Sequence, residues 1–204
     1  MVCILAVSVY AAPSQVNNNS FRLRMEKTLS VTSITSADEF LTAASKGDVV
    51  SIAQVTDKTF LLATDAYGNN CFHLAKNTAT INALAAVIRR LEGDKAASVI
   101  KILRNQRNNT GETPFMYHIN SAKPATFRLL FKGSNLDLAI EKIKPNLNVS
   151  GALTLAVSVE QTRIREESRD KSGRTLMQAA QANKDVPGMS KVIQYLEEHA
   201  PYLS

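Results

Sequence analysis

The sequence predicts an all-α fold assembled from repeated helix-turn-helix units, and three observations predict it. Ala, Leu, Ile and Val supply most of the apolar residues, while aromatics make up only 6% of the chain and Trp is missing. Such a mix suits closely packed helices better than a β-sandwich. A glycine-centred motif recurs ahead of apolar stretches, and segments such as 81–88 and 96–103 read as helix. With 204 residues, 45% of them hydrophobic, the chain is long enough to bury one continuous core.

At the N-terminus, residues 2–10 form an apolar run, and Val9, Tyr10 and Ala11 offer a cleavage site, which predicts an export signal over 1–11. The run is shorter than the ~20 residues a membrane span needs, so no membrane association of the mature form is expected. No Lys or Arg precedes it, which leaves two readings open. Either the true start lies upstream, or the run is an ordinary apolar tail. Residues 12–35 form an N-terminal extension or cap with a short helix at 21–29. Cys3 would leave with the signal, and Cys71 would then stand alone, so no intrachain disulfide is expected.

The recurring motif places a polar residue three positions before a Gly, a Thr-like residue two positions after it, and then an apolar helix. It reads Asp65-Ala66-Tyr67-Gly68-Asn69-Asn70-Cys71-Phe72-His73-Leu74-Ala75, then Asn108-Asn109-Thr110-Gly111-Glu112-Thr113-Pro114-Phe115. A third copy reads Asp170-Lys171-Ser172-Gly173-Arg174-Thr175-Leu176-Met177-Gln178-Ala179-Ala180. It resembles the D-x-x-G-x-T-P-L-H-x-A-A opening of the ankyrin repeat. Gly68, Gly111 and Gly173 suit a positive-φ turn. Thr113 stands where a hydroxyl can cap a helix, Thr175 occupies the equivalent Thr-like position, and Pro114 fits a first turn. Ala75, Ala179 and Ala180 allow helices to approach closely. The resemblance implies that His73 hydrogen-bonds locally between repeats.

An earlier unit, 36–52, has helix-turn-helix character without the opening motif, and Ser36 with Glu39 has capping-box spacing. The Thr-like positions Asp38, Asn70, Thr113 and Thr175 are separated by 32, 43 and 62 residues. Against a repeat of ~33, this predicts an enlarged second repeat and a degenerate fourth. Five repeats are expected in 36–204, at 36–64, 65–107, 108–133, 134–168 and 169–204. Asn148-Val149-Ser150-Gly151 imitates the motif but lies too close to Gly173 to open a full repeat.

Enzymatic readings are weak. His73, His118 and His199 are widely separated and lack metal-ligand spacing, and no cofactor is expected. Cys71 and His73 could suggest a thiolate with a base, but they occupy the family's Pro and His positions. His118 falls where the repeat expects Ala, and a ring there must find a buried partner or loosen the helices. No P-loop, dinucleotide fingerprint, zincin motif or nucleophile elbow occurs.

The charge of +6 is scattered, with Arg89-Arg90 the sole adjacent Arg pair. No aromatic-interleaved basic motif accompanies it, so the expected partner is a protein with acidic character rather than nucleic acid. The resemblance implies recognition through turn tips and first-helix faces by a chain that is monomeric alone. Carried onto this sequence, the tips are Asp65, Ala66, Tyr67, Arg107, Asn109, Thr110, Arg169, Lys171 and Ser172. The helix positions are Lys76, Asn77, Tyr117 and Asn120. Tyr67, Tyr117 and Arg107 are the expected anchors. Together with export, the resemblance implies a non-enzymatic periplasmic or secreted protein that inhibits an enzyme such as a peptidoglycan endopeptidase, in self-protection. The alternatives are an ankyrin adaptor or secreted effector for a cytoplasmic or host protein, and an accessory protein of an exported enzyme such as a catalase.

Overall fold

The computed structural model describes residues 33–143 and 152–203, and among these the chain is helical without strands. The export signal, the helix expected at 21–29 and the motif-like 148–151 lie outside the described residues. The helices are α1 (Ala37–Lys46), α2 (Val49–Ala53), α3 (Cys71–Leu74), α4 (Thr78–Glu92), α5 (Ala96–Asn105) and α6 (Pro114–Asn120). They continue as α7 (Pro124–Phe131), α8 (Asn135–Ile143), α9 (Ala152–Glu167), α10 (Leu176–Ala182) and α11 (Met189–His199).

Local chemistry sets the helix ends. Ser36 Oγ accepts the Glu39 N–H at 3.2 Å and starts α1. The reciprocal half of the expected capping box is displaced by one residue, because the Glu39 carboxylate takes the Thr35 N–H at 2.7 Å instead. Asp48 and Asn77 cap α2 and α4 by accepting the N–H groups of Ser51 and Thr80. Pro114 and Pro124 each sit in the first turn of their helices, where a missing N–H costs nothing.

The helices pack in two rows. In the first row α1 packs on α3, α3 on α6, and α6 on α10. In the second, α2 packs on α4, α4 on α7, and α7 on α11. Four units result, each a first-row helix followed by a second-row helix. Phe40, Phe72, Phe115 and Met177 come from the first row, Ile52, Leu84, Leu130 and Leu196 from the second, and all are buried. Around the third unit the Phe115 and Phe131 rings meet edge-on at 5.2 Å, and Phe127 stacks on Phe131 at 4.8 Å. Losing a buried ring there costs about 3–5 kcal/mol, so this cluster dominates the local core.

The two long intervals have different causes. The ten extra residues of the second unit form α5, which follows a one-turn 3-10 segment (Gly93–Lys95) and packs on α4 and α6. The expected fourth repeat at 134–168 is corrected: it is not a layer between the third and last units. α6 contacts α10 directly, and the Lys171 N–H bonds the Thr110 carbonyl at 3.0 Å. Helices α8 and α9 pack on each other as an inserted pair, and α9 also meets the 3-10 turn Pro201–Leu203. An interval close to two periods is equally one period plus an excursion, and spacing alone does not separate them.

Candidate protein-binding surface

The three glycine motifs fold into the same turn. Asp65, Asn108 and Asp170 each use a side-chain Oδ1 to accept two backbone N–H groups, two and four residues ahead, at 2.8–3.1 Å. In each, the Gly N–H returns to the carbonyl of the first residue at 2.9 Å, and that residue's N–H bonds the carbonyl four positions on. An Asx-type acceptor at the turn entrance explains why Asp or Asn begins every copy. Gly68, Gly111 and Gly173 have φ of 75°, 78° and 80°. A Cβ on Gly68 would also stand 2.7 Å from Asn109 Oδ1, so the neighbouring turn adds a steric requirement to the backbone one.

Backbone bonds link successive turns. The Asn109 N–H donates to Tyr67 O at 2.9 Å, and the Lys171 N–H to Thr110 O at 3.0 Å. Side chains add to the ladder: Asn108 Nδ2 donates to Asn69 Oδ1 at 2.9 Å, and Asn109 Nδ2 to Ala66 O at 3.1 Å. The tips of 65–70, 108–113 and 170–175 therefore form one continuous ridge.

The expected tip residues divide into exposed groups and groups engaged by the ridge itself. Tyr67 is 73% exposed and projects as a large aromatic. Asn109, Thr110, Lys171 and Ser172 are exposed, and Asp65 and Arg169 are half-buried. Arg107, expected as a free anchor, is exposed but donates to the carbonyls of Gly111, Glu167 and Arg169. Lys171 Nζ donates to Asn109 O. Carbonyl acceptors position these cations without neutralising their charge, which leaves the ridge electropositive at this end. Asp170 opposes them little, since the Arg174 guanidinium pairs with its carboxylate at 3.1 Å. Burial disfavours its charged form, yet bonds from Ser172 and Arg174 outweigh that and hold its pKa below the usual carboxylate value.

Among the helix positions, Tyr117 is half-buried, its ring meeting His73 edge-on at 5.9 Å. Asn120 is half-buried and donates to the Glu112 carboxylate. Lys76 and Asn77 are exposed but do not lie on a first-row helix, and this too is a correction. Helix α3 ends at Leu74 because Ala75 turns to ψ 124°, so Lys76 occupies the connecting turn and Asn77 caps α4.

Two buried imidazoles fasten the units beneath the ridge. His73 Nδ1 accepts the Asn70 N–H at 3.2 Å, which leaves Nε2 as the donor to Glu112 O at 2.9 Å. His118 Nε2 faces the carbonyls of Phe72 and His73 at 3.0 and 2.9 Å, and its Nδ1 lies 2.7 Å from Thr126 Oγ1. Burial lowers both pKa values to about 4, so both rings are neutral at pH 7. The polar ring of His118 thus bridges two units. Cys71 is fully buried, and burial pushes its thiol up to about 12, far from the value a thiolate nucleophile needs.

Thr113 departs from expectation. It occupies the N-cap position of α6, but its hydroxyl makes no capping bond and is buried without a hydrogen-bond partner. Thr175 does cap, accepting the Gln178 N–H at 3.2 Å. Sequence reasoning placed Asn70 at a Thr-like position without assigning it a bond: its Oδ1 caps α3 and its Nδ2 donates to Leu103 O at 2.8 Å. The three-residue spacing to His73 was the available signal. No known protein family, curated protein or solved structure matched this chain.

Proposed function

We propose that this chain is an ankyrin-type repeat module that binds another protein through its turn ridge and performs no chemistry of its own. The observation that carries the reading is the threefold recurrence of one turn, joined to its neighbours by backbone bonds from Asn109 to Tyr67 and from Lys171 to Thr110. In this reading the chain has four stacked units, with α8 and α9 as an insertion between the third and fourth. Repeat stacking fixes the tips relative to one another, so they present a prepared contact surface at little ordering cost.

Tyr67 supplies an aromatic anchor, and Arg107 and Lys171 supply held positive charge, so the complementary surface is acidic. The internal titratable groups support a binding role: the thiol is buried and protonated, and both inner imidazoles are consumed in structural bonds. The apolar run at 2–10 extends the proposal to an exported protein, and the ankyrin resemblance taken with export suggests a cell-wall peptidase as the partner it occludes. Co-elution with purified peptidoglycan endopeptidases, scored with their activity, tests that partner. Binding that fails with Tyr67→Ala and Lys171→Glu supports the reading; unaltered binding by both variants contradicts the surface. A cytoplasmic protein retaining residues 1–11 removes the exported form of the proposal.

A further inference from the structure

While the His118 ring is neutral, the hydrogens around it are too few for the bonds the geometry offers. Nε2 faces the carbonyls of Phe72 and His73 at 3.0 and 2.9 Å. Carbonyls only accept, so Nε2 carries a hydrogen. Nδ1 lies 2.7 Å from Thr126 Oγ1, and that oxygen lies 2.7 Å from the Lys123 carbonyl. The Thr126 hydroxyl has one hydrogen and two groups that require it. His118 and Thr126 are both buried, so bulk water does not supply another. With Nδ1 bare, the hydroxyl points at the ring, because two lone pairs 2.7 Å apart repel. Lys123 O then keeps only the long bond from the Thr126 N–H at 3.4 Å. With Nδ1 protonated, the ring donates to Thr126 Oγ1, the hydroxyl donates to Lys123 O, and every bond is made at once.

The bond that changes hands lies in the α6–α7 turn. Ala122, within that turn, has φ of 57°, the single positive value at a non-glycine residue among those described. L side chains rarely adopt this conformation, so the turn depends on the bonds around it. The Lys123 N–H is already held by the His118 carbonyl at 2.7 Å. The helices packed against α6 bring Cys71 and His73 from α3, Lys101 and Arg104 from α5, and Arg128 from α7, while α10 brings no titratable group. Tyr117, on α6 itself, meets the ring edge-on at 6.1 Å. Burial chiefly opposes a positive ring, and Lys123 and His73 add repulsion, so the proton enters only in acid.

We propose that His118 and Thr126 form a proton-operated latch on the α6–α7 turn: a proton taken up at Nδ1 turns the Thr126 hydroxyl from the ring to the Lys123 carbonyl. The test is NMR of the intact, isotope-labelled chain, titrated downward from pH 7. At pH 7 the ring should carry hydrogen at Nε2 alone, with a through-bond coupling from the Thr126 hydroxyl to Nδ1. As acid is added, the Lys123 carbonyl resonance should move with the midpoint of the His118 nitrogens. Thr126→Val takes two bonds from the charged ring's network and one from the neutral ring's. It should therefore weaken proton binding by His118 about ten-fold and leave the Lys123 carbonyl unmoved, and Thr126→Ser should restore both. A Lys123 carbonyl that moves equally in Thr126→Val, an unchanged midpoint in that variant, or a ring hydrogen on Nδ1 instead of Nε2 at pH 7 overturns the latch. Should Thr126→Val fail to fold, the wild-type Lys123 carbonyl decides alone. A chain that unfolds before the ring titrates also overturns the latch and leaves Thr126 a fixed donor to His118.

Discussion

Lowering the pH from 7.5 to 5.0 should strip several kcal/mol from the stability of this protein, through His73 and His118. Both rings are buried, and their pKa values lie at about 4 in the folded chain, against 6.5 for the free group. Between those values the unfolded chain binds more protons than the folded one, so stability rises with pH and is fully present above 6.5. It is lost as pH falls through 6.5 toward 4. Linkage puts the loss at pH 5.0 at about 2 kcal/mol per ring, or about 4 kcal/mol for the pair. That is a large share of a typical domain's 5–15 kcal/mol. The window is informative because the carboxylates with lowered pKa, Glu39, Asp48, Asp57, Glu160 and Asp170, lose their contribution mainly as pH falls below their ordinary values of 4.5 for Glu and 3.8 for Asp. Urea unfolding at both pH values, on the wild type and on His118→Gln, measures it. Removing one ring should halve the pH-dependent loss. An unfolding midpoint that is the same at both pH values, or a double variant His73→Gln/His118→Gln with undiminished pH dependence, refutes the reasoning.

Three further outcomes follow from the turns. Thr113→Val should stabilise the protein by about 1 kcal/mol, because it removes a buried hydroxyl with no partner. Thr175→Val should destabilise it by about 2 kcal/mol, since it loses both a helix cap and the bond to Leu203, and urea denaturation separates the two signs. Gly68→Ala should cost more than Gly173→Ala: the second pays only the positive-φ strain of about 1–2 kcal/mol, whereas the first also drives a methyl to 2.7 Å from Asn109. Equal thermal shifts for the two alanine variants would argue against direct turn-to-turn contact.

Much of the local structure was legible because its causes are local. Glycine at the turn, Asp or Asn at its entrance and Ser36 ahead of α1 each act within a few residues, and the helices follow the apolar spacing. What the sequence could not convey depends on which segments become neighbours. The 62 residues between Thr113 and Thr175 fit two periods as well as one period with an excursion, and the packing of α6 on α10 and the bond from Lys171 to Thr110 separate them. At Thr113 the sequence context matches a capping threonine, yet its hydroxyl caps nothing, whereas Asn70 and Thr175 both cap and also donate to the carbonyls of Leu103 and Leu203. Arg107 looked like a free anchor because its carbonyl partners at 167 and 169 are sixty residues distant. His118 was recognisable as a misfit, but its acceptors belong to the preceding unit.

Site-specific photo-crosslinking tests the role of the ridge most directly. A photoreactive phenylalanine at Tyr67 or at Ser172 should capture the same protein, while one at the exposed Lys191, on a second-row helix, should capture nothing. Capture from Lys191 alone, with both ridge positions silent, would contradict the account.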